Sequence, residues 1–164
     1  MDLREPSRSE AGMIAGWERH PDNERFIIAG DEAQHVTALE DPDLRYFILD
    51  DRGLPVGFVL LAGLAGGNGA VEFRRIVVME KGRGYGRAAV KAVKQYCFEV
   101  LHVHRLWLDV LEENIRARSL YESAGFVREG VLRECVRRED GFHSLVVMSM
   151  LDSEYASDRP ESVS

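Results

Sequence analysis

The sequence predicts an α/β domain of the α+β type, a mixed, mostly antiparallel central sheet of six to seven strands with flanking helices. Three observations carry that expectation. Between Leu44 and Val78 three β-rich runs follow one another across short turns. From Tyr85 to Leu101 the apolar residues Val90, Val93, Cys97, Val100 and Leu101 step by three and four, the period of a helix. A strand, a second helix and a closing hairpin then finish the chain. The 164 residues hold no internal repeat and no linker, so residues 1–155 read as one domain and 156–164 as a flexible polar tail.

The elements follow in order. Met1–Leu3 predicts a first strand. Ser7–Arg19 carries Met13, Ile14 and Trp17 at helical spacing, with Ser9 as its cap. Asp31 opens a second short helix, "DEAQHVTAL". "LRYFILD" and "LPVGFVLLAG" pair across "DRG" as an antiparallel hairpin, and "AVEFRRIVV" returns as a third long strand after "LAGGNG". "HRLWLDV" is a strand, "NIRARSLYESAG" a helix with a glycine stop, and "REDGF" the turn of the last hairpin.

Bulk composition excludes several classes. Hydrophobic residues at 45% and charged residues at 30% describe a globular chain. No apolar run approaches the ~18 residues of a membrane span, and the polar start "MDLREPSRSE" is unlike a secretory signal. Cys97 and Cys135 form no CxxC pair, so the expectation is a reducing cytoplasm and no metal. His102 and His104, at i and i+2, make a poor metal pair. A net charge of −7 repels a phosphate backbone at long range, so no nucleic-acid partner is expected.

The segment "KGRGYGR" (Lys81 to Arg87) sits between a strand and a helix. Gly82, Gly84 and Gly86 allow backbone N–H groups to converge, the helix start adds a positive dipole end, and Lys81, Arg83 and Arg87 add charge. Each charge-assisted hydrogen bond contributes about 1.5–3 kcal/mol, so such a turn anchors a diphosphate. It also reads as a helix start that is merely glycine-rich. The Walker pattern is excluded, because Arg87 and Ala88 follow Gly86. The dinucleotide pattern is excluded by the spacing G-x-G-x-G. Downstream, Asn114 is an N-cap by type, and Tyr121 lies seven residues on along the same face, where it also reads as a core aromatic.

Together, Lys81-Gly82-Arg83-Gly84-Tyr85-Gly86, Asn114, Ala117 and "LYESAGF" resemble the GNAT superfamily of acyl-CoA-dependent N-acyltransferases over roughly Ala70 to Leu151. The branch most resembled holds spermidine/spermine N-acetyltransferases and ribosomal-protein N-terminal acetyltransferases. Three departures stand out. Lys81 replaces the usual Arg or Gln, the strand-to-loop join is one residue short, and "GFHSL" lacks the branch's Asp.

The resemblance implies direct transfer of an acetyl group from acetyl-CoA to an amine. Its pantetheine arm would lie on Arg75, Ile76 and Val77, and its pyrophosphate on Gly82, Arg83, Gly84, Tyr85, Gly86 and Arg87. Asn114 and Tyr121 would complete the cofactor site. Glu72 would be the base, a backbone N–H near Val77 the oxyanion donor, and Tyr121 the general acid. Glu72 also reads as an exposed strand residue.

The acceptor would be a polyamine, a small amine or a peptide N-terminus. It would enter beside Trp17, Glu18, Asp22, Glu24, Asp31, Glu32 and Glu40, residues that equally describe a solvated acidic surface. A homodimer is compatible with the resemblance. Two rivals remain at this level: a non-catalytic acyl-CoA-binding regulatory module, and a nucleotide-binding protein.

Overall fold

The computed structural model describes residues 1–158. Its strands are β1 (Asp2–Arg4), β2 (Leu44–Asp51), β3 (Leu54–Ala62), β4 (Ala70–Val78), β5 (Arg105–Leu111), β6 (Val127–Arg138) and β7 (Gly141–Leu151). They form one sheet in the order β1-β2-β3-β4-β5-β7-β6. All neighbours are antiparallel except β4 and β5. The helices are α1 (Ala11–Glu18), α2 (Pro21–Glu24), α3 (Glu32–Leu39), α4 (Tyr85–Gln95), α5 (Ile115–Ser123) and α6 (Asp152–Asp158).

Two hydrophobic clusters lie on opposite faces of the sheet. One unites Val71, Phe73, Leu106 and Leu108 with Val90 and Val93 of α4 and Tyr121 of α5. The other sets Ile14 of α1 against Tyr46, Ile48, Phe58, Leu60 and Val77. The strands are therefore buried on both faces, which explains the near-continuous apolar run of β3.

The three antiparallel strands and the later strand–helix–hairpin form as expected, and the differences are local. The cap at the start is Ser7, whose N–H donates to Glu10 Oε2 at 2.8 Å, because a short 3-10 turn (Arg8–Glu10) precedes α1. α2 was not foreseen. Pro21 starts it, and His20 Nδ1 accepts from the Asp22 N–H at 3.4 Å. α4 does not reach Leu101 as an α-helix, because its end widens into a π-helical turn over Tyr96–Val100. α6 runs from Asp152 to Asp158, through the first three residues of the expected tail, and the rest of that segment, residues 159–164, lies outside the described residues.

Two features of β4 position the site. First, its pairing with β5 covers only Ala70–Glu72 against Arg105–Trp107, after which the two strands diverge. Second, Leu60 pairs with Arg75 and Leu61 with Phe73, so Arg74 is an extra residue in a bulge. Beyond the bulge β3 and β4 approach closely at Gly57, where a Cβ would stand 2.0 Å from the Val77 carbonyl oxygen. Gly57→Ala is therefore expected to cost at least about 1–3 kcal/mol, read as a lower urea midpoint at unchanged m-value.

Candidate active site

The glycine turn between β4 and α4 has the geometry of an anion cradle. Gly82 and Gly84 take φ of +81° and +79°, values that favour glycine, and Gly84 caps α4. The backbone N–H groups from Gly82 to Arg87 have no acceptor among the described residues. Space above Gly82 and Gly84 is open. Gly86 serves a different end: a Cβ there would meet Leu120 Cδ2 at 3.2 Å, so it lets α4 and α5 pack closely. Gly84→Ala would add strain of about 1–2 kcal/mol and place a methyl at the cradle's rim. The expected result is at least tenfold weaker acetyl-CoA binding, read by calorimetric titration.

The cations of the turn divide their roles. Arg83 and Arg87 are exposed, with Arg83 resting 3.2 Å from Glu80. Tyr85 is buried and donates its hydroxyl to Asp51 at 3.1 Å. Lys81 turns away from the cradle. Its Nζ donates to Asn23 Oδ1 at 2.5 Å and to the Val78 carbonyl at 3.0 Å, so it ties the turn to α2.

Along β4, Ile76 packs in the α4 cluster and Val77 in the α1 cluster. From Phe73 onward, including Arg75, Ile76 and Val77, the β5-facing edge of β4 pairs with no strand among the described residues. On α5, Asn114 Oδ1 accepts from the Ala117 N–H at 3.1 Å, the cap its type predicts.

Tyr121 is 6% exposed, with edge-on rings of Phe73 and Phe126 at 6.1 and 5.8 Å. Its hydroxyl has no hydrogen-bond partner among the described residues, yet it is not sealed from solvent. Burial pushes the phenol well above its ordinary pKa, and the nearby Asp109 charge pushes it further.

Glu72 lies opposite Trp107 at the last paired position before the strands diverge. Its carboxylate accepts from Arg74 Nη2 at 2.6 Å and Nε at 3.0 Å. Asp109 stands two residues beyond Trp107 on the same face. Loss of water raises its carboxyl above the usual range, Glu72 raises it further, and Arg74 opposes both. Asp109 was missed in the sequence. Its signal was the alternation of "RLWLDVL", which buries Leu106, Leu108 and Val110 and sends the intervening residues to the other face.

Of the acidic residues near the start, Asp22, Glu24, Asp31, Glu32 and Glu40 are exposed, but Glu18 is not part of that surface. Glu18 is fully buried. It binds Arg75, accepts from the Gly30 N–H at 2.7 Å, and meets His35 Nε2 at 3.0 Å. His35 Nδ1 lies 3.1 Å from the Tyr46 hydroxyl. Asp31 caps α3 and Glu40 pairs with Arg8, while Trp17 stacks on Phe58. Cys97 is core, its thiol pushed up to about 12 by burial, which is unsuited to a nucleophile. Among the described residues no three His, Cys, Asp or Glu side chains group as metal ligands, and no helix is long and apolar enough to cross a membrane.

An open strand edge beside a ring of unmatched N–H groups, with a buried phenol on the neighbouring helix, suits an enzyme that receives a long thioester whose phosphate end needs anchoring. That is the class of acyl-CoA-dependent acyltransferases. Comparison with known proteins places the chain within it. Residues 6–126 match the Acetyltransferase (GNAT) family, and the chain belongs to that family. It is similar to spermidine N(1)-acetyltransferase of Vibrio cholerae serotype O1, at 30% identity over 71% of this chain and 68% of that one. The Escherichia coli K12 spermidine N(1)-acetyltransferase is 27% identical over 92% of this chain and 80% of its own. A solved structure of the Vibrio cholerae spermidine N-acetyltransferase in complex with CoA and spermine superposes with a TM-score of 0.83 at 25% identity. It covers 94% of this chain and 97% of that one. The chain is an acetyltransferase that uses acetyl-CoA and an amine acceptor.

Proposed function

We propose that the cleft where β4 and β5 diverge acetylates a primary amine directly, with Tyr121 as the proton donor to sulfur. The observation that carries this reading is the buried Tyr121 of α5, packed on Phe73 of β4, whose hydroxyl has no partner among the described residues. The free edge of Arg75–Val77 suits the amide groups of the pantetheine arm, and the turn from Gly82 to Arg87 suits the diphosphate.

The amine must lose a proton before it attacks, since a free alkylamine titrates near ~10.4. Asp109 and Glu72 are the bases within reach of the cleft. Asp109 is the better proton acceptor of the two, because Arg74 occupies one oxygen of Glu72 and because the Asp109 carboxyl is raised. Attack forms the C–N bond, and the thioester carbonyl charge falls on a β4 backbone N–H near Val77. The C–S bond then breaks. Tyr121 meets the leaving sulfur with a hydroxyl that remains protonated throughout the physiological range. The same burial that raises the phenol also raises the thiol, so the pair stays nearly matched.

Two further readings belong to this proposal. Both cysteines are free, Cys97 buried and Cys135 exposed, which suits a reducing cytoplasm. Edge strand β6 exposes Val127 and Leu132, and Phe142 opens β7, so self-association through this edge, as in a homodimer, is favoured. The test of the function is thiol release from acetyl-CoA across a panel of polyamines, small amines and peptide N-termini. Amine-dependent release is expected. Stabilisation by ATP instead of acetyl-CoA in a thermal-shift comparison would overturn the reading, because a ligand at 100 times its Kd adds about 2.7 kcal/mol.

A further inference from the structure

β4 carries two arginines in succession, which in an unbroken strand would face opposite sides of the sheet. The bulge changes that. Phe73 before it and Ile76 after it both pack on the α4 face, so Arg74 and Arg75 come out together on the α1 face. Each is held from one side by a carboxylate. Arg74 directs Nε and Nη2 at a single oxygen of Glu72. Arg75 directs Nη1 at Glu18, which is fully buried and gripped from behind by His35 and the Gly30 N–H. The other N–H groups of both guanidiniums have no acceptor among the described residues, and the side chains stay 42% and 21% exposed.

We propose that Arg74 and Arg75 form a subsite for an anionic group on the acceptor, so that the enzyme acetylates an amine bearing a carboxylate or phosphate. The proposal rests on the acetyl-transfer reading and narrows its acceptor. Asp109 stands on the same wall of the cleft, so it takes the ammonium while the remaining N–H groups of the two guanidiniums take the anion. Guanidinium is weakly hydrated and matches the two oxygens of a carboxylate or phosphate, and fixing its rotamer beforehand reduces the entropy lost on binding. A polyamine carries only donors and offers nothing for the remaining N–H groups of the two guanidiniums to bind.

The experiment compares kcat/KM for matched pairs: lysine with cadaverine, phenylalanine with phenethylamine, and ethanolamine phosphate with ethanolamine, with spermidine alongside. At least a tenfold preference for the anion-bearing member is expected, in the first two pairs for a carboxylate subsite and in the third for a phosphate one. Arg74→Gln is expected to reduce that ratio at least fivefold, and Arg74→Lys to leave an intermediate ratio. Because the readout is a ratio, any general loss of fold or of acetyl-CoA binding cancels. Equal or better turnover of spermidine and the uncharged-tail amines by the unaltered enzyme overturns the subsite, as does a ratio unchanged in Arg74→Gln. If no amine at all releases thiol, the acetyl-transfer reading fails and the subsite falls with it.

Discussion

Replacing Tyr121 with Phe is expected to lower kcat by about 10²–10⁴, the usual contribution of a positioned proton donor. Acetyl-CoA affinity is expected to stay within about twofold, because Tyr121 packs against Phe73 and Phe126 and not against the glycine turn proposed to take the diphosphate. Stability should hardly change. The hydroxyl has no partner among the described residues, so its removal orphans none of their groups. The raised phenol adds a second expectation: kcat should show no alkaline fall from this residue below pH ~10, its ordinary value. Initial-rate kinetics with thiol detection, beside calorimetric titration of the variant, checks both. Unchanged kcat would remove Tyr121 from the chemistry, and equal losses in kcat and affinity would make it a binding residue.

Glu18→Leu is expected to cost about 3–5 kcal/mol, because it strands a guanidinium, an imidazole N–H and the Gly30 N–H at once. For a chain of this size that corresponds to a fall in Tm of about 6–20 °C. Glu18→Gln keeps an acceptor oxygen and should lose less. Acidity separates charge from shape. Burial pushes the Glu18 carboxyl up, but the His35, Arg75 and Gly30 contacts outweigh it, so its pKa in the folded chain lies below the ordinary value. The folded state therefore holds its proton less tightly than the unfolded one. Stability from this group is complete above the ordinary value of ~4.3 and disappears as pH falls through the depressed one. The gap between unaltered protein and Glu18→Gln, measured by urea unfolding, should be constant from pH 7 to 5 and narrow below pH ~4. A gap that widened on acidification would contradict the ion-pair account.

Much of this was legible in the residues because local rules governed it. The turn through Gly53, at positive φ, and the helix start at Asp31 follow from residue type alone. So do the helical stripe of Val90, Val93 and Cys97 and the placement of Asn114 as a cap. The glycine turn was legible for a similar reason, since its N–H groups need no distant partner. What was not legible depended on residues far apart in sequence. Lys81 could be read as a phosphate cation until Asn23, 58 positions away, claimed it. Glu18 could be read as a surface acid until Arg75 and His35 buried it. The shared face of Arg74 and Arg75 was not legible either, because a bulge adds one residue without any signature of its own.

The short contact between β4 and β5 has a mechanical consequence. Three residue pairs join an antiparallel ribbon of β1 to β4 to a second ribbon of β5 to β7, so the backbone hydrogen bonds between the two ribbons are confined to a narrow band. Amides of Phe73–Val78 and of Leu108–Leu111 on either side of the gap lack each other as partners, and hydrogen exchange there should report openings smaller than global unfolding. A thioester arm lying in the gap would lend the missing rungs. Slowed exchange on both strands together, rather than on the glycine turn alone, would mark the moment when two half-sheets become one.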